Sequence, residues 1–146
     1  MKILIVTDAY YPQVNGVVRT LHETGEILKS QGHTIEYITP QQFLTVPMPK
    51  YNEIRLSLNV WPRVSNLINS IKPDAIHIAT EGPLGFMARR HCIKKGLKFT
   101  TSFHTRFDKY MKLYMPIIPA KWSEKFLCNF HNKAERILVT KESMRE

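Results

Sequence analysis

The sequence predicts an α/β fold, a Rossmann-like, doubly wound, mostly parallel sheet with helices on both faces, and three observations carry that reading. Short apolar, β-branched runs recur at Lys2 to Val6, Thr34 to Thr39, Ala75 to Ala79, Phe99 to Phe103 and Ile137 to Thr140. Stretches with apolar residues at helical spacing lie between them. The conspicuous polar residues follow the strands: Asp8 to Gly16, Thr80 to Gly82 and His104 to Arg106. Strands that alternate with helices pair in parallel through crossovers. Ligands then gather beyond the carboxyl ends of the strands.

Each element has a local reason. Lys2 to Val6 is a buried strand, and the loop from Thr7 to Gly16 carries Pro12 and Asn15. A helix starts near Gly16 or Val17, with Val17, Leu21 and Leu28 on one side, Gly25 and Ile27 nearby, and Gly32 as terminator. Residues 40–53 read as irregular, because Pro40, Pro47 and Pro49 oppose regular pairing, and Ile54 to Leu58 reads as a short strand. Pro62 opens a helix to about Ile71, which Pro73-Asp74 breaks. A further helix runs from about Leu84 to Lys95 and stops at Gly96. Residues 107–115 read as helical, and Pro119 opens a helix with Trp122, Phe126 and Phe130 at steps of four. That stripe reads either as core or, beside Lys121, Lys125 and Lys133, as a membrane-facing surface. After the last strand, Lys141 onward looks like the start of a helix.

At 146 residues the chain suits a single domain with a sound core. No apolar run reaches the ~18 residues of a membrane span. The first apolar run is too short for a signal peptide, so a cytoplasmic location is expected. Cys92 and Cys128 fit no zinc or redox spacing and read as reduced, mostly buried thiols. The histidines form no ligand-spaced cluster, so no metal is expected. Of the net charge of +9, residues 1–73 hold seven Lys/Arg against five Asp/Glu, and residues 74–146 hold fourteen against seven. A basic second half suits phosphates on a nucleotide, an anionic lipid or a nucleic acid. It carries no helix-turn-helix, zinc-finger or RNA-recognition signature, so no nucleic-acid partner is expected.

Three loops hold the candidate chemistry. Gly16 begins a helix whose free backbone N–H groups can receive a phosphate, and it reads equally as a turn-and-cap glycine. No dinucleotide fingerprint or P-loop is present. Glu81 can bind a hydroxyl-rich ligand or act as a base, or simply complement a helix dipole. His104, flanked by Thr105 and Arg106, can donate to a sugar or phosphate oxygen or serve as an acid or base.

The stretches Thr7 to Arg19, His77 to Gly85 and Thr101 to Phe107, taken in order, resemble the family 4 retaining glycosyltransferases of GT-B fold, of the bacterial α-mannosyltransferase and glycolipid-forming kind. The resemblance implies an N-terminal, acceptor-side domain over residues 1–146, one half of a GT-B fold. It implies a nucleotide-sugar donor, GDP-mannose or a UDP-hexose, as substrate, with no metal. Gly16 matches the glycine that meets the donor diphosphate, and His104 the histidine near the reacting carbon. Glu81, Thr105 and Arg106 match cleft-facing loops, and Tyr10, Tyr11 and Asn15 the acceptor side. The acceptor is expected to be a lipid or glycan, with peripheral attachment to the inner face of the cell membrane. Because the family's C-terminal domain supplies most nucleotide contacts and does not follow Glu146, the first domain is expected to stop short of its end. The chain alone is then expected to be inactive, or to act as a binding module or split subunit that docks a separate C-terminal half.

Overall fold

The computed structural model describes residues 1–11, 16–48, 51–103, 125 and 128–139. Its elements run β1 (Lys2–Val6), α1 (Gly16–Ser30), β2 (Thr34–Ile38), a 3-10 turn (Pro40–Gln42), β3 (Thr45–Met48), β4 (Tyr51–Ser57), α2 (Arg63–Ile71), β5 (Ala75–Ile78), α3 (Pro83–Lys95), β6 (Thr100–Phe103) and β7 (Arg136–Val139). The main sheet has the order β2-β1-β5-β6-β7 with every described pair parallel.

The two sheet faces follow from the alternation of side chains along each strand. On β1, Leu4 and Val6 point into a core shared with Ile76 and Ile78 of β5, Val64 and Ile68 of α2, and Leu84, Ala88 and Cys92 of α3. Ile5, on the opposite face, packs with Leu21 of α1, Ile35 and Ala79. Both faces are thus covered, which is why the strands read as unbroken apolar runs. Burying each such aliphatic side chain is worth about 1.5–3 kcal/mol. At the amino edge, the backbone N–H of Lys2 donates to Asp74 Oδ2 at 2.7 Å, and its Nζ donates to the Ile71 carbonyl at 3.0 Å.

Three expectations need correction. The stretch 40–53 is not irregular: β3 and β4 form an antiparallel ribbon, with Pro47 opposite Arg55 and a register shift between Pro47 and Met48. A strand with one neighbour tolerates a proline whose missing N–H is not needed. On α1, Leu21 and Gly25 are buried and Val17 and Leu28 pack against the same core as expected, but Ile27, placed near that side, is 58% exposed. α2 ends at Ile71 as expected, and Lys72, in the left-handed conformation with φ 52°, closes it one residue before Pro73. Of the two free cysteines, Cys92 is buried and Cys128 exposed. The aromatic stripe resolves toward packing at Phe130, 2% exposed and part of the larger core. Trp122 and Phe126 lie outside the described residues.

Candidate functional site

The chain leaves β1 toward β2 on one side and, after the ribbon and α2, returns as β5 on the other. The carboxyl ends of β1 and β5 therefore flank the sheet's switch point, the crevice where open α/β folds place ligands. Both ladders close there. Thr7 N–H donates to the Ile38 carbonyl at 3.0 Å, and Ala79 N–H to the Val6 carbonyl at 2.8 Å.

The crevice is organised by a residue to which the sequence reading assigned no role. Asp8 N–H donates to Thr80 Oγ1 at 2.7 Å, and that hydroxyl donates back to Asp8 Oδ2 at 2.7 Å. Leu84 N–H donates to Oδ1 at 2.8 Å and Gly85 N–H to Oδ2 at 3.2 Å. The residue before α3, Gly82, offers no side-chain cap. A carboxylate 76 residues upstream thus takes the orphan N–H groups of that helix and complements its dipole. Burial pushes the Asp8 carboxyl above the usual carboxylate range, against the pull of its bonds to Thr80, Leu84, Gly85 and Gly82. Two glycines make the approach possible. A Cβ on Gly82 would sit 2.4 Å from Asp8 Cγ, and one on Gly85 only 1.9 Å from the Thr80 carbonyl oxygen.

Glu81, between these anchors, is held from the far side of the sheet. Its Oε1 lies 2.8 Å from His131 Nε2, and His131 Nδ1 lies 2.7 Å from Thr101 Oγ1. The pair is largely enclosed, at 13% and 8% side-chain exposure. A carboxylate only accepts, so Nε2 carries the proton toward Glu81. The backbone N–H groups at the start of α3 go to Asp8, while Glu81 is bonded to His131. A second histidine, His77, lies 2.8 Å from Thr100 Oγ1 and 3.2 Å from Ser102 Oγ, which itself donates to the Ala79 carbonyl. Ser102 Oγ, whose own proton goes to Ala79, then accepts from His77 Nε2–H.

On the other side of the crevice, Tyr10 packs on Tyr37 with centroids 5.0 Å apart, and Tyr11 packs edge-on against Tyr10 and His22. Burial, and then the Tyr10 neighbour, pushes the Tyr37 hydroxyl upward. Gly25 leaves room for that hydroxyl, since a Cβ there would sit 1.9 Å from it. Gln41 Nε2 donates to the Tyr11 carbonyl at 2.9 Å. Gly16 opens α1 exposed, and among the described residues no side chain lies within 4 Å of where a Cβ would stand, whereas the start of α3 is filled by Asp8. Tyr10, Tyr11, Gly16 and Glu81 all belong to the carboxyl-end loops. Asn15, His104, Thr105 and Arg106 lie outside the described residues. Among the described residues, no group of three His, Cys, Asp or Glu side chains could hold a metal ion, and no helix is long and apolar enough to cross a membrane.

Asp8 had a faint sequence signal, an acidic residue directly after an apolar first strand. The glycines of Thr80-Glu81-Gly82-Pro83-Leu84-Gly85 had another. His131 had none, because its partners lie 30 and 50 residues away.

A parallel sheet with helices on both faces and polar loops at its switch point defines a Rossmann-like α/β domain. The chain belongs to glycosyltransferase family 4, whose model matches residues 14–146. It is 22% identical to a GDP-mannose-dependent alpha-mannosyltransferase of Mycolicibacterium smegmatis, covering 100% of this chain and 44% of that protein. It is 24% identical to the enzyme of the same name from Corynebacterium glutamicum, covering 95% and 38%. An alpha-monoglucosyldiacylglycerol synthase of Acholeplasma laidlawii is 27% identical, over 75% of this chain and 31% of its own length. The chain spans less than half the length of these curated relatives. The domain is thus a glycosyltransferase family 4 domain with the Rossmann-like architecture of one half of a GT-B fold.

Proposed function

We propose that this domain forms the acceptor-side wall of a retaining hexosyltransferase that moves a hexose, mannose first among the candidates, from a nucleotide-sugar to a lipid or glycan. The observation that supports it most is the family match over residues 14–146, joined to an exposed Gly16 at the start of α1. In this reading the Gly16 amide receives the donor diphosphate, where the partial positive charge of α1 offsets the leaving group's negative charge. His104 positions the donor sugar near the reacting carbon. Tyr10, Tyr11 and Asn15 face the acceptor, and Glu81, Thr105 and Arg106 line the cleft. A second domain supplies the remaining diphosphate contacts, and the assembled cleft excludes water and orients the two substrates.

The test is transfer of radiolabelled mannose from GDP-mannose, or glucose from UDP-glucose, to lipid and glycan acceptors by the chain mixed with a family C-terminal domain. Transfer is expected to fall about 100-fold or more in His104→Ala, the range for loss of a positioned polar group in the transition state. Gly16→Asp, for which the fold has room, should block donor binding by setting a carboxylate where the diphosphate belongs. A His104→Ala mixture that transfers at the unaltered rate would overturn the assignment.

A further inference from the structure

We infer that the groove between α2 and α3 is a binding site for a phosphate monoester. The groove has a volume of about 230 Å³ and is bordered by Trp61, Ser65 and Asn69 on one side and Arg90, His91, Lys94 and Lys95 on the other. That volume is below the ~300–1,000 Å³ of sites that enclose drug-sized ligands, and it suits a small headgroup better than a whole nucleotide. None of the residues assigned above to the donor or the acceptor lines it, so the inference stands apart from the proposed transfer reaction.

Charge is the first argument. Helices α2 and α3 carry Arg63, Arg89, Arg90, Lys94 and Lys95 and no acidic residue. Two of these cations have work within the fold. Arg89 donates to the carbonyls of Phe130 and Asn129, and Arg63 donates to the Gln42 carbonyl and stacks over Phe43. The other three border the groove and have no hydrogen-bond or ion-pair partner among the described residues. Like charges one helical turn apart repel, and a dianionic phosphate relieves that repulsion. Arg90 offers a planar fork and the two lysines mobile point charges, a combination that matches phosphate oxygens.

His91 is the second, independent argument. It lines the groove at 5% exposure, and its Nε2 is buried without a hydrogen-bond partner. An unsatisfied buried polar atom costs about 1–3 kcal/mol and calls for an explanation. Burial and then Lys95 and Lys94 hold its proton affinity below the usual imidazole range, so the ring is neutral. Turned toward the groove, the ring would offer Nε2 an anion oxygen as its partner. Trp61, 70% exposed at the rim, can cover the ester group.

The test follows the His91 ring signals by NMR in the full chain at ~150 mM salt, where surface charge is screened, while sn-glycerol 3-phosphate or glycerol is added. A parallel arm measures co-sedimentation with phosphatidylcholine vesicles holding phosphatidic acid or, at equal charge, phosphatidylglycerol. Saturable shifts with glycerol 3-phosphate alone assign the site to a soluble phosphate monoester. Preference for phosphatidic acid without those shifts assigns it to a lipid headgroup. Either response should weaken about tenfold or more when Arg90, Lys94 and Lys95 become alanine. It should persist when Lys29, Lys98 and Arg136 do, a loss of equal charge elsewhere. His91→Phe, which keeps a ring in the core, should weaken it too. No response in either arm, or equal loss in both triple variants, overturns the site.

Discussion

Asp8 shows how one side chain can hold two parts of a fold in register. Asp8→Ala removes the acceptor of two backbone N–H groups and of the Thr80 hydroxyl, and should cost about 2–4 kcal/mol in denaturant unfolding. The pH dependence has a definite sign. Burial raises the Asp8 carboxyl in the folded state above its ordinary value of 3.8. Its titration therefore contributes stability that is fully present below 3.8 and is lost as pH rises through the folded value. The stability of the unsubstituted chain relative to Asp8→Asn should then grow as pH is lowered from neutrality toward that range. A gap that shrinks on acidification would contradict this. The cysteines give a simpler check. Burial pushes the Cys92 thiol up to about 11, and Cys128 is exposed. Iodoacetamide at neutral pH should modify one thiol per folded chain, at Cys128, as peptide mass analysis would show. At this scale the sequence reading placed Tyr10, Tyr11, Gly16 and Glu81 after the first strand and after β5, where the structure has them. It missed Asp8 and His131 because capping across 76 residues and pairing across 50 leave no local pattern.

Among the elements, those with strong local signals formed as read. The start of α1 at Gly16, the end of α3 at Gly96 and the strands of the main sheet rest on turn glycines and apolar runs. The ribbon was illegible because prolines argue against strands unless the strand has a free edge, and edges are set by tertiary context. The end of α2 was half legible, since Pro73 announces a stop while the residue that adopts the left-handed conformation is Lys72. A side chain there carries a steric cost of about 1–2 kcal/mol that glycine avoids. Lys72→Gly should therefore raise the melting temperature by about 2–4 °C, the net of that relief and glycine's unfolded-state entropy. A lower melting temperature in calorimetry would show that the lysine side chain contributes more than its backbone geometry costs.

For the whole molecule, fold class was the most legible feature, because alternating strands and helices leave few topologies. Charge was legible as a sum and illegible as a surface. Arg89 and Arg63 proved to be tied to carbonyls, while Arg90, Lys94 and Lys95 share one groove. The excess charge from residue 74 onward should bind anionic vesicles with about 1 kcal/mol per well-placed Lys or Arg, weakening as salt rises. Equal sedimentation with neutral and anionic vesicles would remove the membrane from the proposal. The place of β1 has one more consequence. It lies between β2 and β5, although it is the first strand made. On the ribosome it can meet β2 early, but its other edge waits until residues 75–78 have emerged. Until then the nascent sheet has an open apolar flank, and a chaperone that shields short hydrophobic strands would find its natural client there.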